Sequence, residues 1–237
     1  MNKKPLSRKN YGSIPHLPCS RMGPADHKIS EGQERIATVK PRDKHDTIIV
    51  QEKLDGSNVG VAMKDGEIFA ISRAGYEAKT SPYEQHHAFS DWVYENEPRF
   101  RHVLSEGHRV CGEWLHTAHG TIYELPHEPF VAFDLFDENN KRFSYFEFSD
   151  KVGNDFVLPY LVGIGQPISV DEALQSLGDY GHHGATEQIE GAIWRVERNG
   201  IVDYLCKYVR PDKIDGKYLN GEPILNKVIV LAQGGEV

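Results

Sequence analysis

The residue types best suited to covalent chemistry in this chain occur in two tetrapeptides of the same form. Lys53-Leu54-Asp55-Gly56 and Lys213-Ile214-Asp215-Gly216 both have the pattern Lys-x-Asp-Gly, and a lysine amine can act as a nucleophile when its surroundings favour the neutral form. Such a pattern occurs by chance in roughly one protein in twenty of this length. The first copy is followed by 184 residues after Lys53 and the second by 21 after Gly216. Only the first leaves enough chain to build a substrate site, so Lys53 is the candidate nucleophile and Lys213 is expected to be a surface or tail-packing lysine.

Five further segments with charged or aromatic side chains follow Lys53 in order. Each lies within a predicted strand or at one of its ends, where a side chain can be held in a fixed direction. The segments are Ser72-Arg73-Ala74-Gly75, Cys111-Gly112-Glu113-Trp114-Leu115, Phe133-Asp134-Leu135-Phe136-Asp137, Glu190-Gly191-Ala192-Ile193-Trp194-Arg195 and Lys207-Tyr208-Val209-Arg210-Pro211.

In order and spacing, the six segments resemble the nucleotide-binding motifs of the covalent nucleotidyltransferases, the superfamily of ATP-dependent ligases and GTP-dependent capping enzymes. Glu-Lys-Leu-Asp-Gly-Ser-Asn at 52–58, Gly-Glu-Trp-Leu at 112–115 and Lys-Tyr-Val-Arg-Pro at 207–211 resemble in particular the ATP-dependent RNA ligases of the phage RNA ligase 2 type. The stretch Gly-Ser-Ile-Pro-His-Leu-Pro at 12–18 is similar to the N-terminus of that group. Six motifs in order are far more specific than any one of them.

This resemblance implies a role for each motif residue. Lys53 is expected to become AMP-bearing, Lys207 to reach the α-phosphate and Glu190 to contact a metal ion. The others are expected to surround the nucleotide: Glu52 beside the adenine, Asn58 near the phosphates, Arg73 at ribose or phosphate, Glu113 facing the ribose, Phe133 stacked on the adenine, and Arg195 where the family usually has lysine. The last motif is often Lys-x-Lys, and Arg210 is left open as a replacement for its second lysine because arginine and lysine differ as phosphate ligands.

The chemistry that the resemblance implies needs these residue types. The Lys53 amine attacks the α-phosphorus of ATP, and it must be neutral to do so, whereas a free lysine has a pKa of about 10.4. We expect Lys207, Arg73 and a bound metal to lower that pKa. Cationic groups are also needed where negative charge develops on the phosphates. Mg²⁺ (or Mn²⁺) suits this task because it is held by few carboxylates and several waters.

Composition excludes several other classes of protein. Apolar residues make up 39% and charged residues 26% of the 237, which predicts a folded domain rather than a disordered chain. The three cysteines, at 19, 111 and 206, do not form a disulfide framework or a Cys-x-x-Cys zinc pattern, and they favour a reducing cytoplasm. The sequence contains no apolar run of membrane-spanning length and no signal peptide at its start, so no membrane partner is expected.

Charge is distributed unevenly along the chain. The net charge is −8, yet residues 1–44 hold ten Lys/Arg and four Asp/Glu, a net of +6, which leaves −14 for residues 45–237. A nucleic acid can be bound by a local basic surface on an acidic protein. A solvated basic arm with no ligand is the other interpretation, and the sequence leaves both open.

Hydrophobic patterns and turn residues predict the elements that position these motifs. Predicted strands cover 47–52, 58–64, 67–73, 109–115, 130–137, 157–162, 189–197 and 201–208, with hairpin turns at Asp65-Gly66 and around Asn199-Gly200. Residues 137–140 are predicted to turn the chain into 142–148. Predicted helices cover 86–104, with a break at Pro98, 170–177, with Ser169 and Glu172 in a capping box, and 222–232.

The predicted fold class is α+β: an ATP-grasp-like nucleotidyltransferase domain of two packed, mostly antiparallel sheets with flanking helices. Residues 1–45 are expected to form an irregular segment packed on the core, 46–213 the nucleotidyltransferase core, and 214–237 a helical tail. Only 20 residues separate Glu190 from Arg210, so the Arg-x-Asp-Lys at 210–213 is treated as a coincidence and no separate oligonucleotide-binding-fold (OB) domain is expected.

The expected function is ATP-dependent RNA ligation of 5′-phosphate and 3′-hydroxyl ends through a lysyl-AMP intermediate and an adenylylated 5′ end. A minimal ATP-dependent DNA nick ligase and a non-catalytic nucleic-acid-binding relic are the alternatives. The expected partner is RNA, as a nicked duplex, a broken tRNA loop or an RNA–DNA hybrid, and an end-healing partner stays open. The sequence assigns no role to His116, His119, His182 and His183, although a zinc site is disfavoured because no third ligand is in register.

Overall fold

The computed structural model describes residues 3–229 of the chain. Within that range the helices and strands are, in chain order, α1 (Glu31–Thr38), β1 (Asp46–Lys53), β2 (Ser57–Lys64), β3 (Glu67–Ser72), α2 (Glu84–Glu95), α3 (Glu97–Val103), β4 (Arg109–Trp114), β5 (Glu124–Leu125), β6 (Phe130–Phe136), α4 (Tyr145–Val152), β7 (Leu161–Gly165), α5 (Val170–Leu177), β8 (Gly191–Arg198), β9 (Ile201–Val209) and β10 (Lys227–Val228). A short 3₁₀ helix at Ala78–Thr80 precedes α2. None of the helices within 3–229 is long and apolar enough to cross a membrane.

Two antiparallel four-stranded sheets form the body of the molecule. One has the strand order β7-β1-β8-β9 and the other β3-β2-β4-β6. Two hairpins depend on two-residue turns with positive φ: Asp65 and Gly66 have φ of 53° and 75°, and Asn199 and Gly200 have φ of 51° and 72°. Asp-Gly and Asn-Gly adopt this backbone shape more easily than other pairs, which explains both turns. The predicted α+β fold of two antiparallel sheets is confirmed.

Helices cover the outer face of each sheet and fill a separate core there. Phe89 of α2, Phe100 of α3 and Phe148 of α4 pack against the sheet that contains β2 and β4. Ala37 of α1 and Leu177 of α5 pack against the sheet that contains β1 and β8. Fully burying a side chain of this kind stabilises the fold by about 1.5–3 kcal/mol. Because the outer faces carry these cores, the inner faces of the two sheets are left to form a site.

Two predicted helices occur where local signals place them. Helix α5 covers Val170–Leu177, and the Ser169 hydroxyl and Glu172 carboxylate form the predicted capping box. The helical stretch around Pro98 is divided into α2 and α3, with the proline in the first turn of α3, where its missing N–H costs nothing. These predictions are confirmed because each depends on neighbouring residues alone.

Three predictions about elements need correction. Residues 142–148, for which the sequence predicted only the turn before them, lead into α4, whose first turn is capped by Ser144. The N-terminal segment is not wholly irregular, since α1 lies within it and is capped by Ser30 and Gln33. The strand predicted at 157–162 is β7 at Leu161–Gly165, shifted along the chain. The tail forms no helix over 222–229, and 230–232 lie outside the described residues.

The tail is extended because its backbone pairs with another part of the chain. The N–H groups of Asn226, Lys227 and Ile229 donate to the carbonyls of His116, Tyr123 and Leu125, at 2.9, 3.2 and 2.8 Å. Strand β10 thereby lies parallel to β5. A proline at 223 also disfavours a continuous helix here.

Candidate active site

A cavity of about 650 Å³ lies between the inner faces of the two sheets. That volume is in the range of pockets that enclose a small molecule. Nine of the ten candidate residues line it: Glu52, Lys53, Asn58, Arg73, Glu113, Phe133, Glu190, Arg195 and Lys207. The tenth candidate, Arg210, does not line the cavity.

Lys53 is held at the end of β1 opposite the start of β8. Lys53 and Gly191 are paired across the two strands, which brings Glu190 beside the amine. The Lys53 Nζ donates to Oε2 of Glu190 at 2.6 Å and to its neighbour's carbonyl, that of Leu54, at 3.3 Å. The two side chains form a shielded ion pair at the floor of the cavity.

The charge state of Lys53 differs from the expectation. Burial lowers the pKa of Lys53, but the attraction of Glu190 and Glu113 outweighs burial and the pKa is raised. The expected lowering by Lys207 and Arg73 is therefore not a property of the resting site. Burial likewise raises the pKa of Glu190, against the opposing attraction of Lys53. The resting Lys53 is an ammonium ion, so the amine must lose a proton before it can attack phosphorus.

Lys207 is the second cation of the cavity. It lies opposite Ile193 in the pairing of β9 with β8, and both side chains line the cavity. The segment 12–18 runs alongside it: the Leu17 N–H donates to the Lys207 carbonyl at 2.8 Å, and the Lys207 N–H donates to the Pro15 carbonyl at 3.0 Å. Burial and then the nearby Lys53 lower the pKa of Lys207.

The other sheet places two polar groups opposite these lysines. Asn58 and Glu113 face each other across β2 and β4. Oε1 of Glu113 accepts a hydrogen bond from the Gly56 N–H at 3.0 Å, and burial raises the pKa of Glu113 to about 7. Oδ1 of Asn58 is buried and has no protein partner. A buried acceptor without a hydrogen bond costs free energy. In the wall of a cavity, such an acceptor is available to a ligand that can donate to it.

An aromatic ring and a carboxylate also line the cavity, one from each sheet. Phe133 is half-buried on β6 and packs edge-on against Tyr11, with ring centroids 5.1 Å apart. Oε2 of Glu52 accepts from the His182 N–H at 2.9 Å, while its Oε1 is buried without a partner. Burial raises the pKa of Glu52 to about 7. The cavity therefore offers a flat apolar face and a hydrogen-bonding group, which are features that a nucleobase needs.

The arginines at 73, 195 and 210 have three different environments. Arg73 is exposed at the cavity edge and donates to the Ser13 hydroxyl at 3.3 Å. Arg195 is buried, and it pairs with Asp134 at 2.8 Å and with Glu197 at 2.7 Å. Arg210 donates instead to the Gly178 carbonyl at 3.1 Å, outside the cavity. Of the three, only Arg73 has a guanidinium that is not already engaged by carboxylates or carbonyls.

Lys213 is not a surface lysine. Its side chain is 6% exposed, and its Nζ lies 2.6 Å from Oδ2 of Asp55, two residues after Lys53. The prediction of a surface or tail-packing lysine is wrong, because the chain after β9 turns back onto the loop between β1 and β2. No signal within 210–216 could have shown this contact, since its partners lie far away in sequence.

The four histidines left open by the sequence contact other protein groups, and one of the four lines the cavity. His119 lines the cavity and contacts the Gln85 amide oxygen at 2.9 Å, while the rings of His116 and Trp114 are stacked. The His182 ring is stacked on Tyr160 at 3.5 Å, and His183 accepts from the Tyr160 N–H at 3.0 Å. Burial lowers the pKa of His183 to about 3, so this ring is neutral.

Three further cavity residues were missed by the sequence reasoning. Tyr11 and Tyr76 line the cavity, and the Tyr11 hydroxyl donates to Asp134 at 2.9 Å. His86 contacts the Ser57 hydroxyl at 2.9 Å, next to the Lys-x-Asp-Gly motif. Tyr11 adjoins the 12–18 stretch and could have been included with it, whereas nothing in the sequence joins 86 to 57.

A family model named RNA ligase matches residues 46–209. The match covers more than half of the chain and includes all nine candidate residues that line the cavity.

The chain belongs to the RNA ligase family.

Its fold is also shared with solved RNA ligase structures. The Naegleria gruberi RNA ligase, as an apo variant, is similar with a TM-score of 0.53 and 15% identity, over 86% of this chain and 58% of that one. A second variant of that enzyme, with ATP and Mn, has a TM-score of 0.52 and 18% identity, over 87% of this chain and 61% of that one. A third variant, also with ATP and Mn, has a TM-score of 0.50 and 17% identity, over 70% of this chain and 50% of that one. This chain thus spans about half to three-fifths of the length of those RNA ligases. Comparison with curated proteins gives no match.

The cavity also fits the kind of metal site that an RNA ligase would use. Within 3–229, no three His, Cys, Asp or Glu side chains form a metal-binding cluster, so an ion caged wholly by protein does not fit. Glu190 and Glu113 both raise the pKa of Lys53 through their charges, and both line the cavity. One or two carboxylates completed by waters and phosphate oxygens is the usual arrangement for Mg²⁺.

Proposed function

We propose that this RNA ligase family member joins a 5′-phosphate RNA end to a 3′-hydroxyl end with ATP, through a lysyl-AMP intermediate. The observation that carries the proposal is the Lys53 amine, which lies in a cavity of nucleotide size beside Glu190 and within the field of Lys207. Two of the solved Naegleria gruberi RNA ligase variants are complexes with ATP and Mn, which supports the same nucleotide and a divalent metal here.

The proposed reaction has three steps. The Lys53 ammonium first loses one proton to solvent, and the neutral nitrogen bonds to the α-phosphorus of ATP as the bond from that phosphorus to pyrophosphate breaks. The nitrogen then loses a second proton to solvent, which leaves the N–H of a phosphoramide. An oxygen of the RNA 5′-phosphate then displaces the lysine, which takes a proton back, and forms the 5′-adenylate. Finally the 3′-hydroxyl oxygen attacks the 5′-phosphate, loses its proton, and AMP leaves.

The residues of the cavity divide these tasks among them. Lys207 stabilises charge on the α-phosphate, and Phe133 with Glu52 holds the adenine. Glu190, with Glu113 near it, would hold a divalent ion, whose chemistry is to neutralise phosphate charge in the transition state. Arg195 holds the cavity side of β8 in place and does not bind the nucleotide, because its guanidinium is engaged by two carboxylates.

A basic rim beside the cavity supports a nucleic acid as the polymer. We use this name for Lys3, Lys4, Arg8 and Lys9. The rim is joined to the cavity edge because the N–H groups of residues 10 and 11 donate to the Arg73 carbonyl, at 3.1 and 3.3 Å. The Lys4 Nζ lies 4.3 Å from the centre of the Tyr76 ring, which lines the cavity. Proteins bind single-stranded nucleic acids with cations that lie along the phosphate backbone and with aromatic rings that stack on the bases.

The proposal is tested by separating the first step from the last. Lys53→Ala should form no covalent AMP adduct and should not join 5′-phosphate RNA with ATP. It should still join RNA that carries a pre-formed 5′-adenylate, because that step needs no lysine nucleophile. Glu190→Ala and Lys207→Ala should weaken both steps, since phosphate contacts serve both. Lys44→Ala, exposed before the start of β1, is the matched control.

The outcomes separate the proposal from its rivals. Formation of the adduct by Lys53→Ala would show that another residue is the nucleophile. Label transfer from GTP but not from ATP would exclude the proposed nucleotide. Efficient joining of nicked DNA with little joining of RNA or RNA–DNA hybrid would favour the DNA ligase alternative. Absence of an adduct in the parent protein with either nucleotide would leave only a binding role.

A further inference from the structure

The two Lys-x-Asp-Gly copies meet in the folded chain. The lysine of the second copy, Lys213, places its Nζ 2.6 Å from Oδ2 of Asp55, the aspartate of the first copy. The side chains are 6% and 14% exposed, so the ion pair is shielded from water. Removing one partner of such a pair leaves the other charge buried and uncompensated.

Asp55 is fixed by a set of contacts that converge on one loop. The Gly120 N–H donates to its Oδ2 at 2.9 Å, and its own N–H donates to the Tyr123 hydroxyl at 3.2 Å. The Lys213 Nζ also donates to the Thr121 hydroxyl, which is fully buried. The loop between β1 and β2 is thereby tied to residues 120–123 and to the segment after β9.

Lys213 supports the site without being part of its surface. It does not line the cavity, whereas Lys53, Leu54, Asp55 and Gly56 all do. The ion pair of Lys213 with Asp55 therefore fixes the loop between β1 and β2, and Lys213 itself does not contact a nucleotide in the cavity. On the other side of this loop, the Gly56 N–H is bound by Glu113. The residue that carries the amine is thus followed at once by a loop anchored at two successive positions.

We propose that Lys213 is a positioning residue for adenylyl transfer: its pairing with Asp55 holds the loop after β1 and thereby aims the Lys53 amine into the cavity. The inference rests on the function proposed above. In the step concerned, the bond between the Lys53 nitrogen and the α-phosphorus forms and the bond to pyrophosphate breaks; Lys213 exchanges no atom in it. A shift of about 1 Å in the attacking group can reduce a rate by roughly a hundredfold.

The test compares Lys213→Met with Lys217→Met. Methionine keeps length and removes charge, and Lys217 is an exposed lysine of the same segment, paired with Glu187 at 2.7 Å. Lys213→Met should slow adduct formation at saturating ATP by roughly tenfold to a hundredfold, with a nearly unchanged ATP KM. Joining of 5′-adenylated RNA should stay within about twofold of the parent, because that step does not use the Lys53 nucleophile. Lys217→Met should leave both steps unchanged.

A double variant keeps the inference testable if the single variant is unstable. Asp55→Asn with Lys213→Met removes both charges, and the asparagine oxygen can still accept from the Gly120 N–H. In the Asp55→Asn background, adding Lys213→Met should change the adduct rate by less than about twofold, because no buried carboxylate is left to be unpaired. Thermal unfolding of every variant shows which proteins are folded during the assay.

Each outcome decides the matter. Equal losses in adduct formation and in joining of 5′-adenylated RNA would assign Lys213 a general structural role and overturn the inference. So would adduct formation by Lys213→Met at the rate of the parent, or strictly additive effects in the double variant. A parent protein that forms no adduct from ATP would instead refute the proposed function and this inference with it. A selective loss in the first step, cancelled in the Asp55→Asn background, supports the inference.

Discussion

Replacing Arg195 distinguishes two roles for this residue. The resemblance implies that it binds the nucleotide, whereas its ion pairs indicate a structural role. Its side chain is 3% exposed and joins Asp134 of one sheet to Glu197 of the other. Arg195→Met would leave both carboxylates buried without this cation, and breaking such a pair typically costs about 3–5 kcal/mol. Asp134 keeps Arg142 at 2.7 Å and Tyr11 at 2.9 Å. The loss should therefore fall at the lower end, about 3 kcal/mol.

Urea unfolding at neutral pH measures this loss directly. With a denaturant slope of about 2–3 kcal/mol per molar for a protein of this size, the midpoint of Arg195→Met should fall by roughly 1 M. Arg195→Lys should lose less, since one ammonium can satisfy one carboxylate but not both. The control is Arg101→Met, because Arg101 is exposed and paired within its helix with Glu97, and exposed pairs contribute about 0–1 kcal/mol.

The two roles of Arg195 make opposite predictions for ATP binding. If the guanidinium only holds β8 in place, folded Arg195→Met should keep an ATP KM within a few-fold of the parent in the adduct assay. A midpoint close to that of the parent, together with a large rise in the ATP KM, would show that the guanidinium leaves its carboxylates and binds phosphate. That result would refute the structural assignment and support the role implied by resemblance.

Three further predictions depend on single features. Glu52→Gln should become more stable relative to the parent as pH rises from about 4.5 to about 7, and unfolding at several pH values should show the difference. Burial raises the folded pKa of Glu52 to about 7, so in this range the unfolded carboxyl is ionised while the folded carboxyl keeps its proton, and the parent loses about 1.4 kcal/mol per pH unit. Ser169→Ala should cost about 1 kcal/mol in urea unfolding, because it removes the N-cap of α5. Lys4→Glu with Lys9→Glu should raise the RNA KM and flatten its salt dependence while leaving adduct formation unchanged; an RNA KM like that of Lys44→Glu would exclude the rim from RNA binding.

The parts of the fold that the sequence predicted are those with local causes. The turns at Asp65-Gly66 and Asn199-Gly200 and the cap at Ser169 depend on residues within one turn of each other, and all were predicted correctly. The same kind of signal was present at Ser30 and Gln33, yet the helix there was missed, because α1 has only one fully buried residue, Ala37. The helix α1 has little apolar periodicity, and the capping box formed by Ser30 and Gln33 is the stronger indication of a helix there.

The candidate site was predictable because its residues are ordered along strands. Lys53, Glu190 and Lys207 belong to neighbouring strands of one sheet, and Asn58, Glu113 and Phe133 to the other, so sequence order and strand pairing together place them around one cavity. What could not be predicted is what each charge is paired with. The contact of Lys213 with Asp55 spans 158 positions and depends on how the 120–123 loop folds. No local pattern encodes such a contact.

The pairing of charges also bears on how the first step can begin. Lys53 and Glu190 neutralise each other at 2.6 Å in the resting cavity, so the proposed nucleophile is held in its unreactive, protonated form. Burial raises the pKa of Glu190, which makes its carboxylate a better proton acceptor than an exposed glutamate. A ligand that draws Glu190 towards itself weakens the largest attraction that keeps Lys53 charged. Burial is then opposed by the smaller attractions of Glu113 and Asp55, and the balance shifts towards the neutral amine. The same carboxylate is thus the group that holds the lysine inactive and the group whose displacement releases it.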